Sequence, residues 1–285
     1  MFLIVGYVII LAASLGTYAV HGSLAALWMP MEYVAIVGLA VGSFLAGNGI
    51  KTIKATIGAL PSIFQGSKFN KAVYVDLLAM LFEVLAKVRK EGLMSIENDV
   101  ENPHESPIFG KYPAISHDHH VMEFITDYLR MMVGGNLNAI EIENLMDIEI
   151  ETHHHEVEVP GHAMAKTADG LPAFGIVVAV MGVVNVMGSV GEPPAVLGKM
   201  IGGALVGTFL GILISYGFVT PIATQLEQKA HEGSKIYQVI KVVLLASMSG
   251  YAPQVAVEFG RKVLFSGDRP TFIELEQELK ARKGR

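Results

Sequence analysis

Four stretches of the chain contain no charged residue, and they decide what it can fold into. They cover residues 1–20, 33–50, 171–191 and 200–226. A helix of about 20 apolar residues spans the hydrocarbon core of a bilayer, where irregular backbone would leave its polar groups unpaired. The segments 51–170 and 227–285 hold nearly all of the charge. The sequence therefore predicts an all-α polytopic membrane protein with four transmembrane helices and a large helical water-exposed part.

The first charge-free stretch is interpreted as a span and not as a cleaved signal peptide. It begins MFLIVG, with no Lys or Arg ahead of the apolar residues. It is also longer than the apolar core of a signal peptide, which has about 7–15 residues. Residues 1–50 would then carry the first and second transmembrane helices, and residues 171–226 the third and fourth.

The distribution of basic residues predicts the orientation. The loop 21–32 has no Lys or Arg, and the loop 192–199 has only Lys199. On the other side of the spans lie Lys51, Lys54, Lys68, Lys71, Lys229 and Lys235. Because cytoplasmic loops carry an excess of basic residues, we expect both termini to be cytoplasmic. The same rule makes 51–170 a cytoplasmic helical domain and 227–285 a cytoplasmic C-terminal helical region.

The water-exposed segments show helical periodicity. One pattern is formed by Val73, Leu77, Leu81, Val84 and Val88, and it stops at Gly92. A second is formed by Met122, Ile125, Leu129 and Met132, and it stops at Gly134 and Gly135. IEIENLMDIEIET predicts a third, strongly acidic helix, and the helix of the fourth span is expected to continue to about residue 248. Pro253 and Pro270 each suit the first turn of a further helix.

Sequence motifs for catalysis are missing. The chain has no phosphate-binding G-x-x-x-x-G-K-[ST] sequence, no H-E-x-x-H and no nucleophile elbow. It also has no cysteine, which excludes disulfides and thiolate metal sites. We therefore predict neither an enzyme nor an ATP-driven pump, with no cofactor and no nucleic-acid partner.

Two histidine clusters are candidates for a metal site. They comprise His117–His120, within SHDHH, and His153–His155, within ETHHHEVEVPGH. Imidazoles beside carboxylates can bind a divalent metal. Both clusters are polar and near prolines, so we interpret them as solvated loops that bind metal adventitiously, and we predict no metal site.

Glycines recur at a spacing of four within the predicted spans. They are Gly38 and Gly42 in the second span, and Gly203, Gly207 and Gly211 in the fourth. Small residues at this spacing let helices approach closely in lipid. They can pack against other spans of the same chain or against another copy. Four spans of a single chain cannot bury so many close-packing glycine faces against one another, so a homo-oligomer is favoured.

The fourth span also carries hydroxyl groups but nothing that titrates near neutral pH. Thr208, Ser215 and Tyr216 lie within it, and Pro172 and Pro221 mark points where a helix can bend. Ion and proton carriers normally keep an acidic side chain inside the membrane. If protons or cations cross here, the carboxylate must come from another chain.

These segments resemble the MotA family, the multi-span subunit of the bacterial flagellar stator. The resemblance is carried by ALPSIFQGSKFNKAVYVDLLAMLFEVLAKVRKEG, ADGLPAFGIVVAVMGVV and SGYAPQVAVEFGRK, and it runs in order from the first span to about residue 278. It implies a bacterial inner-membrane, ion-conducting protein, most simply a proton-conducting one. It also implies a pentamer around two copies of a MotB-like single-span partner, which carries the membrane aspartate and a peptidoglycan-binding domain.

The resemblance also assigns residues. Pro172 and Pro221 would couple protonation of the partner to motion of the cytoplasmic domain, and Thr208, Ala179 and Tyr216 would line or adjoin the ion path. Arg89 and Glu97 would engage oppositely charged residues of a FliG-like rotor switch protein. From the residues alone these two are ordinary solvated charges. The resemblance also implies contact with membrane lipid, in addition to the partner, further copies of the chain and the rotor.

Three alternatives remain at the level of the sequence. A TolQ/ExbB-like energiser of an outer-membrane process is related, but such proteins typically have three spans. A solute transporter should show repeat symmetry between its halves and charged or broken helices at mid-membrane, but the third and fourth spans do not repeat the first two. A membrane scaffold without ion flow is the third.

Overall fold

The computed structural model describes residues 2–135 and 138–283, and the described chain is helical with no strand. The α-helices are α1 Phe2–His21, α2 Leu24–Leu27, α3 Pro30–Gly47, α4 Ile50–Ala59, α5 Lys71–Glu91, α6 Glu97–Glu101, α7 Pro113–Ser116, α8 His119–Gly134, α9 Ala139–Met187, α10 Pro194–Ile214, α11 Thr220–Met248, α12 Pro253–Val263 and α13 Phe272–Lys283. A π-helical turn, Ser215–Val219, joins α10 to α11. The all-α prediction is confirmed.

Four helical segments are long and apolar enough to cross a membrane. They are Phe2–His21, Leu24–Gly47, Ala139–Met187 and Pro194–Met248, and their most apolar windows have mean hydropathies of 1.8 to 2.1. The second combines α2 and α3, and the fourth combines α10, the π-helical turn and α11. The predicted four spans are therefore confirmed as helices of sufficient length and apolar character.

The chain divides into two compact units. We call Met1–Gly66 with Val157–Lys229 the membrane unit, and Ser67–Glu156 with Ala230–Arg285 the helical unit. The helices α9 and α11 each contribute residues to both.

The helical unit has the larger apolar core. Most of its predicted periodic positions are buried: Leu77 and Leu81 of α5 and Ile125 and Leu129 of α8 are each 0% exposed. Val73 and Val88, at the two ends of the α5 pattern, are partly buried. The side chain of Asn70 accepts hydrogen bonds from the first backbone amides of α5, as an N-cap does. Gly92 ends this helix with φ of +88°, a backbone conformation that costs glycine little. The sequence pattern therefore predicted both the core face and the end of α5.

The acidic stretch is helical, as predicted, and it lies near the start of α9, which runs from Ala139 to Met187 without interruption. Two local predictions were wrong. Most of the histidines predicted to lie in loops are in helices: His153–His155 lie within α9, and His119 and His120 open α8, whereas His117 lies in the turn between α7 and α8. Pro270 precedes its helix and is not in its first turn, since Thr271 caps α13 by accepting from the amide of Glu274. The continuation of the fourth span to Met248 and the start of α12 at Pro253 are confirmed.

Candidate functional site

The third and fourth spans pack backbone against backbone. A Cβ added to Gly175 of α9 would lie 2.7 Å from the carbonyl oxygen of Gly207, and one added to Gly211 would lie 2.7 Å from that of Leu171. Further along, a Cβ on Gly182 would lie 2.7 Å from the Cβ of Ala204. Such distances leave no space for a side chain, so glycine is required where the two helices cross.

The predicted packing glycines fall into two groups. Gly207 and Gly211 lie at this crossing, and Gly203 faces the methyl group of Met29, 3.0 Å from an added Cβ. Gly38 and Gly42 of α3 face open space, with no atom of the described chain within 4 Å of an added Cβ. Gly175 and Gly182 were not predicted from the sequence, although their spacing of seven residues also places them on one helix face.

The predicted ion-path residues also fall into two groups, those at the crossing and one that is exposed. Ala179 is buried, and its backbone nitrogen lies 3.3 Å from a Cβ added to Gly207. Thr208 is half-buried, and its Cα lies 3.3 Å from a Cβ added to Gly175. Tyr216 is 63% exposed on the π-helical turn. The crossing thus unites Ala179 and Thr208, whereas Tyr216 is directed away from the protein core.

Pro172 and Pro221 each remove one backbone amide from the helices of the membrane unit. Pro172 lies inside α9, four residues after Ala168. Pro221 is the second residue of α11, one residue beyond the helix start at Thr220 that follows the π-helical turn. The hydroxyl of Ser215 donates to the carbonyl of Ala168 at 2.6 Å, and that of Tyr7 donates to the carbonyl of Phe218 at 2.8 Å. Neither Tyr7 nor Ala168 was predicted from the sequence to have a role.

Arg89 and Glu97 lie in the helical unit on either side of Gly92. Arg89 is in the last turn of α5, Glu97 begins α6, and both are exposed. Within the described residues neither side chain forms an ion pair with another. Both are therefore accessible to a charged partner.

A buried ion pair fixes the turn between these two charges. The Nζ of Lys87 lies 2.6 Å from a carboxylate oxygen of Asp99, whose side chain is 4% exposed. The other oxygen accepts from the hydroxyl of Ser106 at 2.7 Å. Asp99 is therefore fully paired, and its interactions hold α6 against the end of α5. Lys87 lies two residues before Arg89, and Asp99 lies two residues after Glu97. The sequence shows this spacing, but it does not reveal the ion pair between Lys87 and Asp99.

The histidine clusters are spread through the helical unit. His154 Nδ1 lies 2.9 Å from the hydroxyl of Ser234, and the ring of His120 lies 6.4 Å from that of His153. His119, His120 and Glu123 each offer one ligand atom, all within 4.8 Å of one another, and all three residues are exposed. These contacts lie outside the membrane unit and contribute nothing to the helix crossing.

The comparisons with known proteins agree with this architecture. Residues 4–92 match the family model described as Motility protein A N-terminal, and residues 116–239 match that of the MotA/TolQ/ExbB proton channel family. The chain is 53% identical over 284 residues to Motility protein A of Escherichia coli (strain K12), an alignment that covers 99% of this chain and 96% of the relative. The chain belongs to the motility protein A family.

Other motility protein A relatives and related structures support the assignment. The chain is 50% identical to Motility protein A of Salmonella typhimurium, with 99% of this chain and 96% of the relative covered. It is 32% identical to Chemotaxis protein LafT of Vibrio parahaemolyticus, with 98% of each covered. The flagellar MotAB stator complex from Bacillus subtilis has the same fold, with a TM-score of 0.72, 23% identity and 98% of each chain covered. The C. jejuni MotAB structure gives a TM-score of 0.75 at 21% identity, covering 94% of this chain and 98% of that one.

As a member of the motility protein A family, the chain is an ion-channel subunit of a flagellar stator in the inner membrane, and it is not an enzyme. The TolQ/ExbB alternative is less well supported. The model shared with TolQ and ExbB covers residues 116–239, but residues 4–92 match the model of motility protein A alone.

Proposed function

We propose that the chain conducts protons together with a MotB-like single-span partner and converts their flow into torque on a FliG-like rotor protein. The observation that carries this proposal is the crossing of the third and fourth spans. It places Thr208 beside tightly packed backbone, and residues 171–191 and 200–226 contain no acid or base. A proton-carrying carboxylate must therefore be supplied by a second protein.

We further propose that the chain acts as a homo-oligomer, with five copies around two copies of the partner. Support comes from Gly38 and Gly42, which have no neighbour within the described chain although their spacing of four suits close helix packing. Lipid or another copy would cover this face. The solved MotAB structures of related fold agree with the presence of a partner.

The proposed orientation puts both termini and the helical unit in the cytoplasm. It rests on the basic residues that flank the spans, among them Lys51, Lys54 and Lys229. Arg89 and Glu97 would then lie on the same side of the membrane as the rotor.

The energetics of such a machine are compatible with exposed charges as the rotor contact. One proton that crosses a potential of 100 mV releases about 2.3 kcal/mol. An exposed ion pair is worth about 0–1 kcal/mol, so a contact made by Arg89 or Glu97 can form and break within one step. A deeply buried salt bridge would resist this exchange.

Proton flux through reconstituted vesicles tests the proposal. The chain alone should leave vesicles proton-tight, because its spans lack a titrating group. Co-reconstitution with the partner should produce a flux that disappears when the partner's membrane aspartate is replaced by asparagine. Robust conduction by the chain alone would refute the shared-site proposal.

Charge reversal at Arg89 tests the rotor contact. We expect Arg89→Glu to reduce swimming, and a reversed charge on the facing residue of the rotor to restore it in part. The matched control is Lys90→Glu, since Lys90 is the next residue and its side chain is 82% exposed. Swimming speed in soft agar and the rotation of tethered cells give the measurement. Equal defects in the two variants, with no rescue by the rotor change, would show that Arg89 is only a solvated charge.

A further inference from the structure

Pro172 leaves a carbonyl group of its own helix without the usual donor. In an α-helix the amide of residue 172 would donate to the carbonyl of residue 168, but proline has no N–H and its ring crowds that oxygen. The helix nevertheless continues on both sides, from Ala139 to Met187. The carbonyl of Ala168 therefore needs another partner.

Ser215 supplies that partner from the other helix of the crossing. Its Oγ donates to the carbonyl oxygen of Ala168 at 2.6 Å, and the residue is 0% exposed. A carbonyl in such a place cannot turn to bulk water, and leaving it unpaired would be costly. The hydroxyl thus donates the hydrogen bond that an amide at residue 172 would have donated.

Other hydroxyls of the membrane unit behave differently. Those of Ser14, Thr17, Thr56 and Thr167 each donate to the carbonyl four residues earlier in their own helix, at 2.6–2.9 Å. That is the usual arrangement for serine and threonine in a helix. Ser215 departs from it by bonding across to α9, 47 residues away in sequence.

Ser215 also lies at an irregular point of its own span. It is the first residue of the π-helical turn, and its carbonyl accepts from the amide of Thr220, five residues later. The turn ends just before Pro221, which also lacks an amide donor. Tyr7 binds the same turn from α1 through the carbonyl of Phe218. One hydroxyl therefore joins the proline-weakened turn of α9 to the irregular turn of the fourth span.

We propose that Ser215 is a positioning residue of the stator: its hydroxyl replaces the amide that Pro172 lacks and holds the two proline-containing spans in register. This deepens the proposed function, on which it rests, because it names the bond through which movement at Pro172 reaches the fourth span. Ser215 touches neither ion nor partner in this role.

A double-mutant cycle on the full-length chain in complex with its partner tests the replacement. Ser215→Ala should lower the melting temperature by roughly 2–4 °C when residue 172 is proline. In a Pro172→Ala background the restored amide donates to Ala168, so the same substitution should change the melting temperature little. Ser215→Cys, which keeps the shape but donates weakly, should fall between these results and gives a usable variant if Ser215→Ala does not assemble.

Thr167→Ala is the matched control. Thr167 bonds within its own helix to Ala163, so its removal should have the same small effect whether residue 172 is proline or alanine. If Ser215→Ala lowered the melting temperature equally with proline and with alanine at residue 172, the proposal would be overturned. The hydroxyl would then not be replacing the missing amide.

A motor measurement distinguishes positioning from stability alone. At a temperature where all variants are folded, Ser215→Ala should lower torque, and Ser215→Thr, which retains a hydroxyl, should restore part of it. Unchanged torque in Ser215→Ala would overturn the positioning role. The melting cycle needs no ion flow or rotation, so a failure of the proposed motor function would be seen separately from a failure of this hydrogen bond.

Discussion

Gly211→Ala is expected to destabilise the protein, although alanine is the better helix former. The added Cβ would lie 2.7 Å from the carbonyl oxygen of Leu171 and 2.8 Å from the Cα of Gly175. Both contacts are backbone atoms, which cannot move without separating the third and fourth spans. Overpacking of this kind costs about 1–3 kcal/mol, more than the gain of about 1 kcal/mol in helix propensity.

The matched control is Gly202→Ala in the same helix. Gly202 is exposed and has no atom within 4 Å of an added Cβ, so only the propensity gain remains. Thermal unfolding of the purified complex, followed by tryptophan-independent methods such as circular dichroism, should show a loss for Gly211→Ala and none for Gly202→Ala. Equal melting temperatures for the two variants would contradict the close backbone crossing.

Pro172→Ala is expected to abolish most of the torque while leaving the protein folded and assembled. Proline inside a helix costs about 3 kcal/mol, and alanine restores the amide that can complete the bond to Ala168. Thermal stability should therefore be unchanged or higher. The straightened, regular helix would no longer provide the weak point at which we propose that the third span moves.

The control for this substitution is Pro194→Ala. Pro194 is the first residue of α10, where its missing amide would have had no helical partner. Torque of tethered cells and co-purification of the partner should be measured together. Normal rotation in Pro172→Ala, or equal defects in both variants, would contradict a coupling role for Pro172.

Much of the helical unit could be predicted because its sequence pattern reports directly on burial. The apolar spacing of α5 follows its core face, with Leu77 and Leu81 fully buried. Gly92 ends the helix in the conformation that glycine favours. These features depend on local sequence and on a single apolar face, which periodicity measures.

The sequence misled where polar residues continue a helix. His153–His155 and Pro160 are typical of a loop, yet α9 passes through them. Pro160 and Pro172 interrupt individual hydrogen bonds without ending the helix, as is tolerated where other groups pair the freed carbonyls. The helix therefore continues where sequence propensity favours a break.

The crossing itself could be predicted only in part. The spacing of Gly203, Gly207 and Gly211 indicated a packing face, and the crossing uses the last two of them. Their partner Gly175 and the bond from Ser215 to Ala168 depend on the register of two helices whose contacting residues lie more than 20 positions apart. No local pattern specifies that register.

Rotation of tethered cells is the most direct test of the central claim that this chain drives a flagellar motor. The gene should be deleted from its host in a background that lacks any other stator, and the cells examined for filaments and for rotation. We expect intact filaments that do not turn, with rotation restored when the wild-type gene is expressed in trans. Normal rotation in the deletion strain would contradict it.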